Sequence, residues 1–187
     1  GETIVLALTM SAAADADRRE GAILINPGGP GAPGTGMVES LLSLGIFPEE
    51  VLERFDVVAW DPRGTGESTS VDCGGDLDAF FAADKSPDTA AEERENAKVA
   101  EEFADACEAE HADLLPYLST TQTVEDMDAI RAGLGDDGLT YLGFSYGTYL
   151  GARYAETHPD RVRAFVLDGP VDPSLDLGDP SVVARRR

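Results

Sequence analysis

The run Thr140-Tyr141-Leu142-Gly143-Phe144-Ser145-Tyr146-Gly147-Thr148-Tyr149-Leu150-Gly151 constrains the fold more than any other stretch of the chain. Its centre reads G-x-S-x-G, with an apolar run before it and a helix-like run after it. A strand that turns at once into a helix leaves its corner residue strained and exposed, with the hydroxyl raised above the sheet edge. Gly143 and Gly147 suit such a corner, because side chains there would collide across the tight turn. Ser145 is therefore a candidate nucleophile. The plainer alternative is a Gly-rich turn carrying an inert serine, so the surrounding sequence has to decide.

The 187 residues, 42% hydrophobic and 27% charged, are enough for one domain with a substantial core. No apolar stretch approaches the roughly 20 residues needed to cross a bilayer. The N-terminal Gly1-Glu2-Thr3-Ile4-Val5 reads as the approach to a strand and not as a leader segment. A net charge of −22 argues against nucleic acid and anionic membrane surfaces as partners. Lys85 and Lys98 are the only lysines, and with many Ala, Gly and Asp this bias fits a GC-rich coding sequence. No Cys-x-x-Cys or histidine cluster suggests a metal, and no cofactor is implied. Cys73 and Cys107 allow one disulfide, which would favour a secreted or cell-envelope protein. Two buried thiols in a cytoplasmic protein remain the alternative.

Along the chain, Thr3 to Met10 reads as a strand, and Ala22-Ile23-Leu24-Ile25-Asn26 as a strand buried on both faces. Pro27-Gly28-Gly29-Pro30-Gly31-Ala32-Pro33-Gly34 follows directly and can be neither helix nor strand interior. It lies between a buried strand and an apolar helical stretch, which favours a structured loop over a flexible linker. Phe55 to Trp60 is the next buried strand, ending in the turn-forming Asp61-Pro62-Arg63-Gly64-Thr65-Gly66-Glu67-Ser68. Leu77 to His111 is acidic and mostly helical, broken near Ser86-Pro87-Asp88. Thr123 resembles the cap of a further helix, with Val124, Met127, Ile130 and Leu134 at helical spacing. After Ser145 a helix runs from Tyr146 towards His158, and Gly147, Gly151 and Ala155 leave one face nearly bare for close packing on a sheet. Ala164 to Asp168 reads as a buried strand, and residues beyond Asp172 show little core pattern. Strands alternating with helices give a parallel α/β sheet, whose sites lie beyond the strands' C-terminal ends. The three Gly-containing turns fall there.

Asn26-Pro27-Gly28-Gly29-Pro30-Gly31, Trp60-Asp61-Pro62-Arg63-Gly64-Thr65-Gly66-Glu67-Ser68 and Gly143-Phe144-Ser145-Tyr146-Gly147 occur in the order found in α/β-hydrolases. More narrowly, the stretch from Ile23 to Pro173 resembles the secreted tripeptidyl aminopeptidase and proline iminopeptidase group of actinobacteria. The resemblance implies acyl transfer, with Ser145 as nucleophile acting on a peptide or small ester. It implies an oxyanion hole made by the backbone N–H of Tyr146 and of Gly29, with Gly28 next in line. Asp61, Arg63 and Gly66 would brace the neighbouring loop.

A serine nucleophile needs a base, and the chain has two histidines. His158 lies at the far end of the helix that Ser145 starts, roughly 20 Å away at about 1.5 Å rise per residue. His111 precedes the nucleophile, whereas this fold orders its triad as Ser, acid, His. Asp168 is a possible acid, with stabilisation of the Gly169-Pro170 turn as the plainer role. The expectation is therefore an incomplete α/β-hydrolase core over 1–175, with 176–187 an irregular tail or the start of a cap. Later strands, cap, histidine and acid would come from a C-terminal remainder or a second chain. An esterase or lactone hydrolase, or a non-catalytic binding relative, are the alternatives.

Overall fold

In a computed structural model, the described residues are 3–74, 78, 82–84 and 86–175. They fall into two compact units, Gly1–Thr69 with Thr120–Arg187, and Ser70–Ser119. The tail 176–187, with its three arginines, lies outside the described residues, as do Leu77, Phe80 and Phe81.

The first unit is built on a five-stranded sheet: β1 (Leu8–Ser11), β2 (Gly21–Asn26), β3 (Phe55–Trp60), β4 (Leu139–Phe144) and β5 (Val162–Asp168). The strand order is β1-β3-β2-β4-β5. β2, β3, β4 and β5 run parallel, while β1 pairs antiparallel with β3. The parallel reading thus holds for four strands and needs correction at the first.

β1 is also shorter than the expected Thr3–Met10. Beyond Trp60 its ladder partner has ended, and the loop after β3 takes over. Asp61 N–H donates to the Ala7 carbonyl, Ala7 N–H to Ser68 Oγ at 2.9 Å, and Val5 N–H to Thr69 Oγ1 at 2.9 Å. Hydroxyls here do the work of a neighbouring strand.

Alternate side chains of β2 and β3 face opposite ways, which generates two cores. Leu24, Val58 and Trp60 pack with Tyr141 against α4 (Thr120–Gly133) and α5 (Tyr146–Thr157). Ile25, Val57 and Ala59 pack on the other face against Val38 and Leu41 of α1 (Met37–Ser43), with Leu52 of α2 (Glu49–Arg54) alongside. Because both faces are covered, these strands carry continuous apolar runs without alternation. Burying each Leu, Ile or Val side chain contributes about 1.5–3 kcal/mol.

Two expectations shift. α4 begins at Thr120, one turn before Thr123, and Thr123 is turned into the interior instead of capping the helix. β5 extends from Val162 and is not buried: Val166 is 62% and Leu167 37% exposed. Among the described residues β5 is an edge strand, so only one of its long sides is paired.

In the second unit, α3 (Ala90–His111) starts with a reciprocal capping box between Thr89 and Glu92. Cys73 and Cys107 form a disulfide across a separation of 34 residues, and no described cysteine is free. No helix among the described residues is long and apolar enough to cross a membrane.

Candidate active site

β2, β3, β4 and β5 all end on the same side of the sheet, and their loops converge there. β4 ends at Phe144, and the next residue, Ser145, turns into α5 with φ 50° and ψ −120°. Among the described residues it is the one non-glycine with positive φ. Such a conformation costs on the order of 1–3 kcal/mol and persists only where neighbours impose it.

The neighbours are identifiable. Ser145 N–H donates to the Asp168 carbonyl at 2.9 Å, tying the corner to the end of β5. The Thr148 hydroxyl donates to the Ser145 carbonyl at 2.6 Å and accepts from Val171 N–H at 2.9 Å. Tyr141, 1% exposed, lies beneath the turn and donates its hydroxyl to the Gly147 carbonyl at 2.8 Å. A Cβ on Gly143 would stand 2.6 Å from Gly147 O and from the Tyr141 ring, and one on Gly151 2.9 Å from that ring. The bare helix face is therefore filled by Tyr141 together with Leu167 at Gly151 and Asn26 at Gly147. Ser145 itself stays exposed, and its hydroxyl makes no hydrogen bond among the described residues.

The Gly/Pro segment after β2 is a structured loop lying against this corner. A Cβ on Gly28 would meet Phe144 O at 2.5 Å, and both Ser145 Cβ and Tyr146 N at 3.1 Å. Gly28 and Gly29 have φ of 99° and 109°, conformations that side-chain-bearing residues rarely adopt. The structure thus brings Gly28 against Ser145 and Tyr146, whereas a Cβ on Gly29 would meet only its own loop, at Gly31 and Ala32. Tyr146 N–H sits at the start of α5, where a helix leaves its amides without intrahelical partners.

Asp61, fully buried, holds the loops after β2 and β3 together. Its carboxylate accepts from Thr35 N–H at 2.8 Å, Glu67 N–H at 2.8 Å and the Thr35 hydroxyl at 3.2 Å. Burial pushes this carboxyl up, but those hydrogen bonds outweigh it and hold it below the usual carboxylate range. Gly66 is required at its position because a Cβ would run into the Asp61 carboxylate. Arg63 makes a bidentate pair with Asp126 of α4, Nε to Oδ2 at 2.7 Å and Nη2 to Oδ1 at 2.6 Å. Bracing by Asp61, Arg63 and Gly66 is what the geometry displays.

His158 caps the far end of α5, with Nε2 3.3 Å from Glu125 Oε1 and its ring against Tyr154. His111 belongs to the second unit, where Nε2 lies 2.8 Å from Asp72 O; it is half-buried, not a free surface residue. Asp168 reaches the corner through its backbone carbonyl, and its side chain is exposed.

Two residues, Asn26 and Thr148, and the side-chain role of Tyr146 are new with the structure. Asn26 is fully buried, and its Oδ1 accepts from Gly28 N–H at 2.9 Å. Thr148 couples the corner to the segment after β5. Tyr146, whose phenol is pushed up by burial, hydrogen-bonds the Thr120 hydroxyl at 2.7 Å and stacks on Tyr149. Only Asn26 had a legible signal, since Asn before Pro-Gly favours an Asx turn.

The profile of the alpha/beta hydrolase fold matches residues 21–186. The chain is 41% identical over 161 residues to a tripeptidyl aminopeptidase of Streptomyces coelicolor, covering 84% of this chain and 30% of that protein. It is 43% identical over 166 residues to the serine protease Hip1 of Mycobacterium tuberculosis, covering 83% and 30%. Against carboxylesterase B of Mycobacterium tuberculosis it is 38% identical over 172 residues, covering 88% and 32%. The chain thus spans about a third of the length of these relatives. With a four-strand parallel core, a strained serine between strand and helix, and a glycine loop against it, the chain belongs to the alpha/beta hydrolase fold family.

Proposed function

We propose that Ser145 is the nucleophile of a serine hydrolase that works through a covalent acyl-enzyme, and that the protein is an exopeptidase releasing short peptides or residues from free N-termini. The observation that carries this reading is the forced φ of 50° at Ser145, with Gly28 packed against Tyr146 N. Ser145 Oγ attacks the substrate carbonyl and gives its proton to a base. The tetrahedral oxyanion then collapses, the amine leaves with a proton, and water releases the acyl group. The N–H groups of Tyr146 and Gly29 are the proposed oxyanion donors, and losing one such donor costs about 2.7–4 kcal/mol of transition-state stabilisation. The base is a histidine from outside these 187 residues, because His158 ends the helix that Ser145 begins, roughly 18 Å along its axis, and His111 precedes the serine, against the Ser, acid, His order of this fold. The orienting acid comes from outside as well, and Asp168 serves the corner through its carbonyl.

The peptide preference is supported by the aminopeptidase and protease relatives. The carboxylesterase relative favours a second reading, an esterase on the same machinery. A location in an oxidising compartment, secreted or in the cell envelope, is supported by the Cys73–Cys107 disulfide.

In the full-length protein a fluorophosphonate should label Ser145, and Ser145→Ala should abolish labelling and lower kcat by about 10⁶-fold. An unlabelled Ser145 in active protein would sink the proposal. Comparing kcat/KM for a free-N-terminus tripeptide anilide and a short acyl ester decides between the peptidase and the esterase.

A further inference from the structure

Asn26 ends β2 and stands opposite Gly143 in the β2–β4 register, directly across from the serine corner. It is wholly buried, where an unpaired polar amide is costly. Its oxygen accepts from Gly28 N–H at 2.9 Å, whereas its Nδ2 finds no hydrogen-bond partner among the described residues. A buried, half-satisfied amide requires an explanation, because an apolar residue of similar size would be cheaper there.

Its surroundings supply one. A Cβ on Gly147 would lie 2.8 Å from Asn26 O and 2.9 Å from Asn26 Oδ1. One side chain therefore touches both halves of the site, the glycine loop through Gly28 and the first turn of α5 through Gly147. By engaging Gly28 N–H, it turns that donor inward and leaves the next amide, Gly29 N–H, without a hydrogen bond among the described residues.

We infer that Asn26 is a positioning residue for the oxyanion hole: its side-chain carbonyl captures Gly28 N–H, sets the loop against α5, and assigns the donor role to Gly29. The inference rests on the reading of Ser145 as nucleophile. Asn26 touches no substrate, and acts through the loop alone.

The test uses the full-length protein, and a separate sample is labelled at Ser145 by a fluorophosphonate so that failure of the nucleophile reading is seen apart from the kinetics. Asn26→Ala removes the acceptor and should lower kcat by about 10²-fold with KM changed less than threefold, the scale of a lost oxyanion donor. Affinity for a peptide aldehyde, which forms a tetrahedral adduct on the serine, should fall by a similar factor, while affinity for the released peptide product stays unchanged. Asn26→Asp keeps shape and acceptor but adds a carboxylate beside the developing negative charge. Its kcat relative to wild type should rise as pH falls and the carboxyl is protonated, a pH response that a general packing defect would not give. If Asn26→Ala does not fold, the Asn26→Asp profile decides alone. Labelling at Ser145 combined with wild-type kcat and aldehyde affinity in Asn26→Ala overturns the inference, as does a flat pH ratio in Asn26→Asp.

Discussion

Ser145 holds its positive φ because three separate groups oppose relaxation: the Asp168 carbonyl on its N–H, the Thr148 hydroxyl on its carbonyl, and Gly28 against its Cβ. Gly28 is the most exposed of these to a simple substitution. In Gly28→Ala the new methyl would fall 2.5 Å from Phe144 O, at a backbone φ of 99°. The loop must then lift away from Tyr146 N. We expect kcat to fall about 10²–10³-fold and the fold to lose about 1–3 kcal/mol, read by steady-state kinetics and by urea unfolding. Wild-type kcat in a stable Gly28→Ala protein would show that the loop need not touch the corner.

At the scale of elements, the two loops flanking the site are one mechanical piece because Asp61 joins them. A carboxyl whose pKa is lowered on folding contributes stability that is fully present above its unfolded pKa, about 4. That contribution is lost as pH falls through the folded value. Thermal unfolding of wild type and Asp61→Asn should therefore keep its full difference from neutral pH down to about pH 4 and converge only as the medium is made still more acidic. A gap that stays constant on that further acidification would contradict the bonding described for Asp61. The same scale separates what was readable in the sequence from what was not. β2, β3, the corner and α5 were legible because their determinants are local: continuous apolar runs, glycines at the turn, a proline after the helix. The antiparallel direction of β1 was not, since it depends on pairing with residues some fifty positions later. β5 reads as buried from its composition, Ala-Phe-Val-Leu, and among the described residues it is the last strand of the sheet; a strand's own residues do not name the neighbours that bury it. Asn26 and Thr148 were missed for a related reason: a polar side chain beneath a loop has no periodicity.

For the whole molecule, the stretch from Ser70 to Ser119 forms a compact unit of its own between the loop after β3 and α4. α3 has few buried residues, with Cys107 as its buried anchor. Cross-linking that residue to Cys73 across 34 positions limits the unfolded chain, a contribution of about 3–4 kcal/mol by loop-closure entropy. Replacing both cysteines by serine should accelerate hydrogen exchange over Ala90–His111 far more than over β2 and β4. Equal acceleration everywhere would mean that the disulfide serves the sheet and not this unit. Two alkylatable thiols in freshly isolated protein would refute the bond itself.

The hydrogen bond from Ser145 N–H to the Asp168 carbonyl also has a meaning in time. Synthesis proceeds from the N-terminus, so the glycine loop, the corner and α5 all leave the ribosome before β5 does. Until Val162–Asp168 has docked, one of the bonds that hold the corner is missing, and the Thr148 hydroxyl and Gly28 restrain the serine alone. The fully restrained corner thereby forms late, after the strand that follows the serine helix has been made.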